Sequence, residues 1–495
     1  MDASVPAHEG PRSLDHATVR TIILGIMLAM FLAALDQTIV ATALPTIGRD
    51  LGDLQNISWV VTAYLLSSTA ATPLYGKISD IHGRRKTLLA AIVIFMAGSV
   101  ACALAPTMLT LILARFLQGL GGGGLISLAQ TIIADAVAPK ERARYMGYFA
   151  VVYVLSSVAG PVLGGLIAQS IGWPAIFWIN IPLGALALFM TYNALKKLPR
   201  HERAHKIDYG GALLMVIAVM LLLLALSWGG VNYPWTSPII LGLFAASLVA
   251  WGLFALRLTR AAEPFLPLGV LADRVVATAT LAGFFGIGTM VGLSIYLPLF
   301  FQSVMGLSAT ASGFTLIAFS VGTVAGAQTS GRFMARMRHY KVAPLIGVTI
   351  GIAGMIMLTM FAGDLSLRAI CVLLIMIGMG LGTLFPVTVV AVQNAVALHH
   401  MGTATAMVNF MRALGSAILV AAFGAILLAS MGASGGVSVE TLIARTGTNS
   451  ASLVGAFRDV FGAATFCIVV AFLLLIAMEE RELRGSGAKA PVHME

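Results

Sequence analysis

Two charged residues stand where charge is expensive. Asp36 lies in Leu35-Asp36-Gln37-Thr38-Ile39-Val40-Ala41-Thr42-Ala43-Leu44-Pro45, and of the chain's 20 acidic residues it is the only one set deep in a long apolar run. A carboxylate at the centre of a membrane helix costs ~2.5–3.5 kcal/mol on insertion scales, so such a residue usually faces a cavity and has a task. The chemistry that suits it is reversible proton uptake and release. The competing role is a structural hydrogen bond to a neighbouring helix. Arg115, in Leu111-Ile112-Leu113-Ala114-Arg115-Phe116-Leu117-Gln118-Gly119, needs acceptors in the same way, from a carboxylate or from backbone carbonyls. It is expected either to sense Asp36, directly or through water, or to brace a helix kink. Asn409 and Arg412 are three residues apart, hence on one helical face. With Gln37, Tyr64 and Gln118 they are the candidate polar contacts of a cavity.

Other chemistries find no support. Gly121 to Gly124 is not a phosphate loop, because no Gly-Lys-Ser/Thr follows, and close helix packing is its expected role. None of the nine histidines lies in an apolar run, while Cys102, Cys371 and Cys467 all do and read as small hydrophobes. There is no Ser/His/Asp set, metal cluster or nucleotide motif. An enzyme is therefore not expected, nor a cofactor.

The elements that must position these residues are membrane helices. Of 495 residues, 59% are hydrophobic and 10% charged, against roughly 25% charged in soluble domains. The mean hydropathy is +0.95. Runs of roughly 20 apolar residues, each able to span a bilayer, recur along the chain, and about 14 spans are expected. The net charge of +10 does not indicate nucleic acid. About 24 of the 30 Lys and Arg fall in one alternate set of loops and tails, as the positive-inside rule requires, which places both termini in the cytoplasm.

One polar stretch, Gly76-Lys77-Ile78-Ser79-Asp80-Ile81-His82-Gly83-Arg84-Arg85-Lys86, separates two apolar runs and is expected to be a tight cytoplasmic turn. Asp135, near Pro139-Lys140-Glu141-Arg142, could supply a salt-bridge partner for it. A second stretch, Ser156-Ser157-Val158-Ala159-Gly160-Pro161-Val162-Leu163-Gly164-Gly165, combines a helix-kinking proline with glycines that allow close packing. The chain also repeats itself. Gly76 and Gly331, Gly147 and Gly402, and Gly160 and Gly415 are each 255 apart (331 − 76, 402 − 147 and 415 − 160). In the degraded second copy of the polar stretch, Ala335 stands where Asp80 does. Two parallel six-span repeats follow, with a further hairpin between them.

These motifs resemble the major facilitator superfamily, in particular its 14-span drug:proton antiporter branch. Gly76, Asp80, Gly83, Arg84 and Arg85 match the loop that acts there as a gate latch. The segment around Asp36 matches the span-1 motif, with Ala41 where Asn is usual. Arg115 and Gln118 match a span-4 motif linked with proton transfer, and Gly160, Pro161, Gly164 and Gly165 match the antiporter motif. The resemblance implies an all-α polytopic membrane protein of two six-helix bundles plus an inserted hairpin. Residues 1–19 would be a tail, 20–195 the first bundle, 196–262 a linker with the hairpin, 263–478 the second bundle and 479–495 a tail. It implies proton-coupled export of bulky amphipathic or cationic compounds by alternating access, from a bacterial inner membrane. The alternative is an exporter dedicated to one metabolite, lipid or siderophore. The expected partners are small amphipathic substrates and membrane lipid, a periplasmic adaptor being optional; no nucleic acid is expected, and the chain should act as a monomer. The proton gradient would be the energy source.

Overall fold

The structure, a computed structural model, describes residues 16–53, 56–137, 139–197, 208–261, 263–266, 268–336, 339–431 and 451–483. Fourteen long helices account for most of them: α1 (His16–Asp50), α2 (Ser58–His82), α3 (Arg84–Ala103), α4 (Met108–Ala136), α5 (Pro139–Ser170), α6 (Asn180–Ala194), α7 (Tyr209–Trp228), α8 (Pro238–Arg260), α9 (Arg274–Ser303), α10 (Ala309–Arg336), α11 (Val342–Phe361), α12 (Leu367–Ala395), α13 (Met401–Ser430) and α14 (Ala451–Ala477). Among the described residues thirteen helical stretches are long and apolar enough to cross a membrane, α6 counting only together with the short helix before it, as Ala175–Tyr192. The fourteenth, α2, has 25 residues but carries Lys77, Ser79, Asp80 and His82 in its last turns. Lipid offers no hydrogen-bond partners, so a helix, which satisfies its own backbone, is the form these runs must take.

Local chemistry sets several helix starts. Thr107 and Thr110 form a reciprocal capping box at α4, while Ser237 caps α8 ahead of Pro238, and Asp273 accepts from the N–H groups of Val275 and Val276 at α9.

α1 to α6 pack mainly among themselves, as do α9 to α14. The 255-residue repeat is visible in this packing. Gly160 brings α5 against Thr38 of α1, and its counterpart Gly415 brings α13 against Phe284 of α9. The α7–α8 hairpin lies over the seam between the bundles. Met215, Val219 and Leu223 share one apolar cluster with Leu66 and Ala70 of α2 and with Phe410 and Leu414 of α13.

Four features correct or extend the sequence reading. The polar stretch 76–86 is not one turn: α2 continues through His82, and the reversal is made by Gly83 alone, at φ +87°, a conformation that suits glycine. The sixth span is broken. A short helix Ala175–Trp178 precedes α6, whose first turn contains Pro182. The final span, α14, begins at Ala451 and carries Arg458, which pairs with Asp364 at 3.5 Å. The tail from Glu479 begins as a docked strap. Glu480 accepts from the Lys341 N–H at 3.0 Å, Arg481 pairs with Asp273 at 2.8 Å, and Asn394 donates to the Glu482 carbonyl at 3.1 Å. Residues 432–450, and 198–207 of the expected linker, lie outside the described residues.

Candidate functional site

Asp36 is fully buried in the first bundle, and four helices supply what surrounds it. Arg115 on α4 donates from Nη1 to Asp36 Oδ2 at 2.5 Å. Gln118, one turn on, donates to Asp36 Oδ1 at 2.9 Å. Asn180, the first residue of α6, donates to the same oxygen at 3.0 Å. Both amides also reach Ser99 Oγ on α3, at 2.6 Å from Gln118 and 3.2 Å from Asn180. The pair is thus held by a continuous polar network, the condition under which a buried charge is tolerated.

The guanidinium of Arg115 is itself boxed in. Nε donates to the Val60 carbonyl of α2 at 3.0 Å, Nη1 also reaches Gln118 Oε1 at 2.6 Å, and the Tyr64 ring lies 4.3 Å from Cζ. The approach of α4 that permits this depends on glycine. A Cβ at Gly119 would fall 2.0 Å from Ser67 Oγ, and one at Gly121 2.3 Å from the Phe95 backbone nitrogen. The glycine run therefore packs helices, as expected. Gln118 and Tyr64 differ from their expected role: they build the Asp36–Arg115 site rather than line an open cavity. Gln37, next to Asp36, is half-buried. The second bundle has no copy of the pair. Adding 255 to 36 and to 115 gives Val291 and Ile370.

Sequence reading missed Ser99 and Asn180. Asn180 had a usable signal, as an amide inside the apolar run 173–194. Ser99 had none, because small hydroxyls are common in membrane helices and bond their own backbone.

Of the residues expected to form a latch, Gly76, Asp80 and Arg84 meet the second bundle or its partners at the seam, Gly83 makes the α2–α3 turn, and Arg85 does neither. Asp80 accepts from the Gly402 N–H at 2.9 Å, the Thr403 N–H at 2.7 Å and the Thr403 hydroxyl at 2.6 Å. Arg84 pairs with Asp80 at 2.5 Å and with Asp135 at 2.8 Å, so Asp135 reaches the latch through Arg84. Gly76 permits the contact, since a Cβ there would lie 2.5 Å from that of Ala406. Arg85 stands apart: it donates to the Tyr192 carbonyl at 3.1 Å and lies over the Tyr192 ring. Deeper along the seam, Asn409 donates to Gln130 Oε1 at 2.7 Å, and Gln393 donates to the Gln130 carbonyl at 3.3 Å. The described hydrogen bonds between the bundles all lie on this side, the face that carries the α2–α3 turn.

The α5 motif packs on the helix that carries Asp36. Cβ atoms at Gly160 and Gly164 would fall 2.0 and 2.2 Å from the Thr38 and Thr42 hydroxyls, and Thr38 donates to the Ser156 carbonyl at 2.9 Å. Pro161 is exposed within α5. Gly165 faces open space and takes no part in this contact. Arg412 lies on α13 with its guanidinium buried and only partly bonded.

Among known proteins, the chain is 35% identical over 449 residues to the Multidrug resistance protein 3 of Bacillus subtilis (strain 168), covering 91% of this chain and 87% of that relative. It is 35% identical over 411 residues to the Multidrug transporter protein MdtP of the same organism, covering 83% of this chain and 76% of MdtP. In fold it is similar to a double Trp mutant of XylE, with TM-score 0.65 at 15% identity, covering 94% of this chain and 97% of that one. It is also similar to a bacterial homologue of the iron transporter ferroportin in an outward-facing state, with TM-score 0.64 at 11% identity, covering 93% and 98%. Residues 26–420 match the Major Facilitator Superfamily. The chain belongs to that superfamily.

Proposed function

We propose that the protein exports bulky amphipathic compounds in exchange for protons, by alternating access between its two bundles. The observation that carries this reading is the fully buried Asp36, held by Arg115, Gln118 and Asn180 within one bundle and absent from the other. A carboxylate that can be either charged or neutral gives that bundle two electrostatic states. Charged, it completes the bond network; protonated, it gives up its attraction to Arg115 and frees the guanidinium to seek other acceptors. A change of this kind inside one rigid bundle can bias the angle at which it meets the other.

In this reading the face bearing the α2–α3 turn is cytoplasmic, since cations concentrate there. The Asp80 contacts then close the cytoplasmic side. A proton taken up by Asp36 from outside favours the return to an inward-open state, where substrate binds. The names of the relatives, a multidrug resistance protein and a multidrug transporter, support export and a broad substrate range. A bacterial plasma membrane is the setting this implies.

The test is reconstitution in liposomes with a lumenal pH dye, an imposed proton gradient, and a panel of cationic and anionic amphipathic dyes. Dye flux should drive counter-movement of protons, and Asp36→Asn should abolish coupling while retaining dye binding. Coupling that survives in Asp36→Asn would place the proton carrier elsewhere.

A further inference from the structure

Arg412 is a buried cation that the proton site does not use. Its residue is 5% exposed, in the middle of α13. Nη2 donates to the Phe385 carbonyl at 2.8 Å and to Thr388 Oγ1 at 2.5 Å, both on α12, and the Phe385 ring lies 4.6 Å from Cζ. The Nε and Nη1 atoms have no partner. Among the described residues no carboxylate lies within salt-bridge distance of it, whereas Arg115 has Asp36. Gly283 of α9 faces Nε: even a Cβ there would stay 3.5 Å away, so no side chain of that residue covers the free donor.

Position adds to the chemistry. Asn409, one turn nearer the latch on the same face, bonds across the seam to Gln130 of the first bundle. Arg412 therefore lies about one helical turn inward from the Asn409–Gln130 contact. A guanidinium left with free donors in a dry setting is a strong site for an acceptor.

We propose that Arg412 recognises an anionic group on the substrate, a carboxylate or sulfonate carried by a bulky apolar body. This rests on the export reading and narrows its substrate class from amphipathic compounds in general to amphipathic anions. The incoming anion supplies the counter-charge that the fold withholds from Arg412, and it accepts from Nε or Nη1 while Nη2 stays tied to α12. Phe385 offers its ring to the apolar body. Asp36 remains free to carry the proton, because the substrate's charge is answered in the other bundle.

The experiment is equilibrium binding to the purified full-length protein, read by fluorescence, of 9-anthracenecarboxylate and of 9-anthracenemethylammonium, which share one ring system and differ in charge. Wild type should bind the carboxylate at least about tenfold more tightly than the ammonium. Arg412→Gln should erase that preference, and Arg412→Lys should restore part of it. Equal binding of the two probes by wild type, preference for the ammonium, or no binding of the carboxylate at millimolar concentration would overturn the proposal. So would an Arg412→Gln protein with a wild-type melting profile that keeps the preference. Should Arg412→Gln fail to fold, displacement from wild type decides: naphthalenesulfonate must compete off the bound carboxylate and naphthylmethylammonium must not. Equilibrium binding needs no gradient. A wild-type protein that couples dye and proton flux but shows no anion preference therefore defeats this inference alone, and absent coupling in a protein that binds the anion through Arg412 defeats the coupling reading alone.

Discussion

The carboxylate of Asp80, near the end of α2, caps the helix that Thr403 helps to begin in the opposite bundle. It accepts from the backbone N–H groups of Gly402 and Thr403 and from the Thr403 hydroxyl, at 2.9, 2.7 and 2.6 Å. The residue before α13, His400, supplies no side-chain cap of its own. The first turn of α13 thus borrows its acceptor and a favourable negative charge from across the seam. This also accounts for the degraded second copy of the motif. Ala335, at the position equivalent to Asp80, has no acceptor to offer α5, and Gly147 of α5 instead lies against the Gln328 side chain of α10.

A cap borrowed in this way can be released when the bundles rock. Losing an N-cap costs about 0.5–2 kcal/mol, which corresponds to about 2- to 30-fold in the ratio of closed to open seam. Asp80→Ala should shift the ratio by that amount. Asp80→Asn, which keeps one acceptor oxygen, should shift it less. Disulfide formation between Gly147→Cys and Gln328→Cys, with the three native cysteines replaced, reads out closure. An unchanged cross-linking rate in the Asp80→Ala background would show that the cap does not hold the seam.

Gly160 offers a sharper steric test. A methyl group there would fall 2.0 Å from Thr38 Oγ1 and 2.6 Å from Thr38 Cβ, so α5 must move away from α1. Overpacking of this kind costs about 1–3 kcal/mol. Gly160→Ala should lower thermal stability by that amount and slow transport several-fold. Gly165→Ala, facing open space, should leave the melting temperature unchanged. Equal loss in both variants would mean that the motif acts through backbone freedom rather than contact.

The sequence revealed these features unevenly, for physical reasons. The apolar runs, the repeat and the isolated charges were legible because lipid penalises every exception, so Asp36 and Arg115 stand out from their neighbours. Their pairing was only an expectation, since sequence spacing does not say which faces of α1 and α4 meet. Ser99 was hidden among hydroxyls that bond their own helices. The helical continuation through His82 was masked by its own polarity. Residues 77–82 look like a loop to a hydropathy count, yet Ser79 and Lys77 are buried against their surroundings, Lys77 reaching the Pro264 carbonyl at 3.4 Å. The trans-bundle cap left no local trace at all, because its two halves are more than 300 residues apart.

Asn180 is the member of the Asp36 network supplied by α6, and its two hydrogen bonds tie the start of that helix to the site. Asn180→Ala should remove its bonds to Asp36 Oδ1 and Ser99 at a cost of about 1–3 kcal/mol for the donor lost to a buried charge. Thermal unfolding should register that loss, and substrate-driven proton movement should fall about tenfold with dye binding retained. Asn180→Gln, with the same amide on a longer stem, should recover stability before coupling. Coupling at the wild-type rate in a destabilised Asn180→Ala protein would reduce Asn180 to a packing residue.

The inserted hairpin carries a pH signature of its own. Asp208, just ahead of α7, caps that helix by accepting from the Gly211 N–H at 3.0 Å, and it pairs with Arg257 near the end of α8 at 3.0 Å. Burial alone would raise its carboxyl, but the Gly211 N–H and the Arg257 guanidinium outweigh burial and hold it below the usual carboxylate range. A carboxyl lowered on folding adds stability that is fully present above its unfolded value, about 3.9, and is lost as pH falls through the folded value. The melting temperature of wild type should therefore exceed that of Asp208→Asn by a constant margin above about pH 5, and the two should converge as pH falls below about 4. Arg257→Gln should narrow the margin in the same window, because the ion pair is part of what lowers the carboxyl. A margin that stays level down to pH 3 would assign the effect of Asp208 to helix capping alone, with no contribution from its charge.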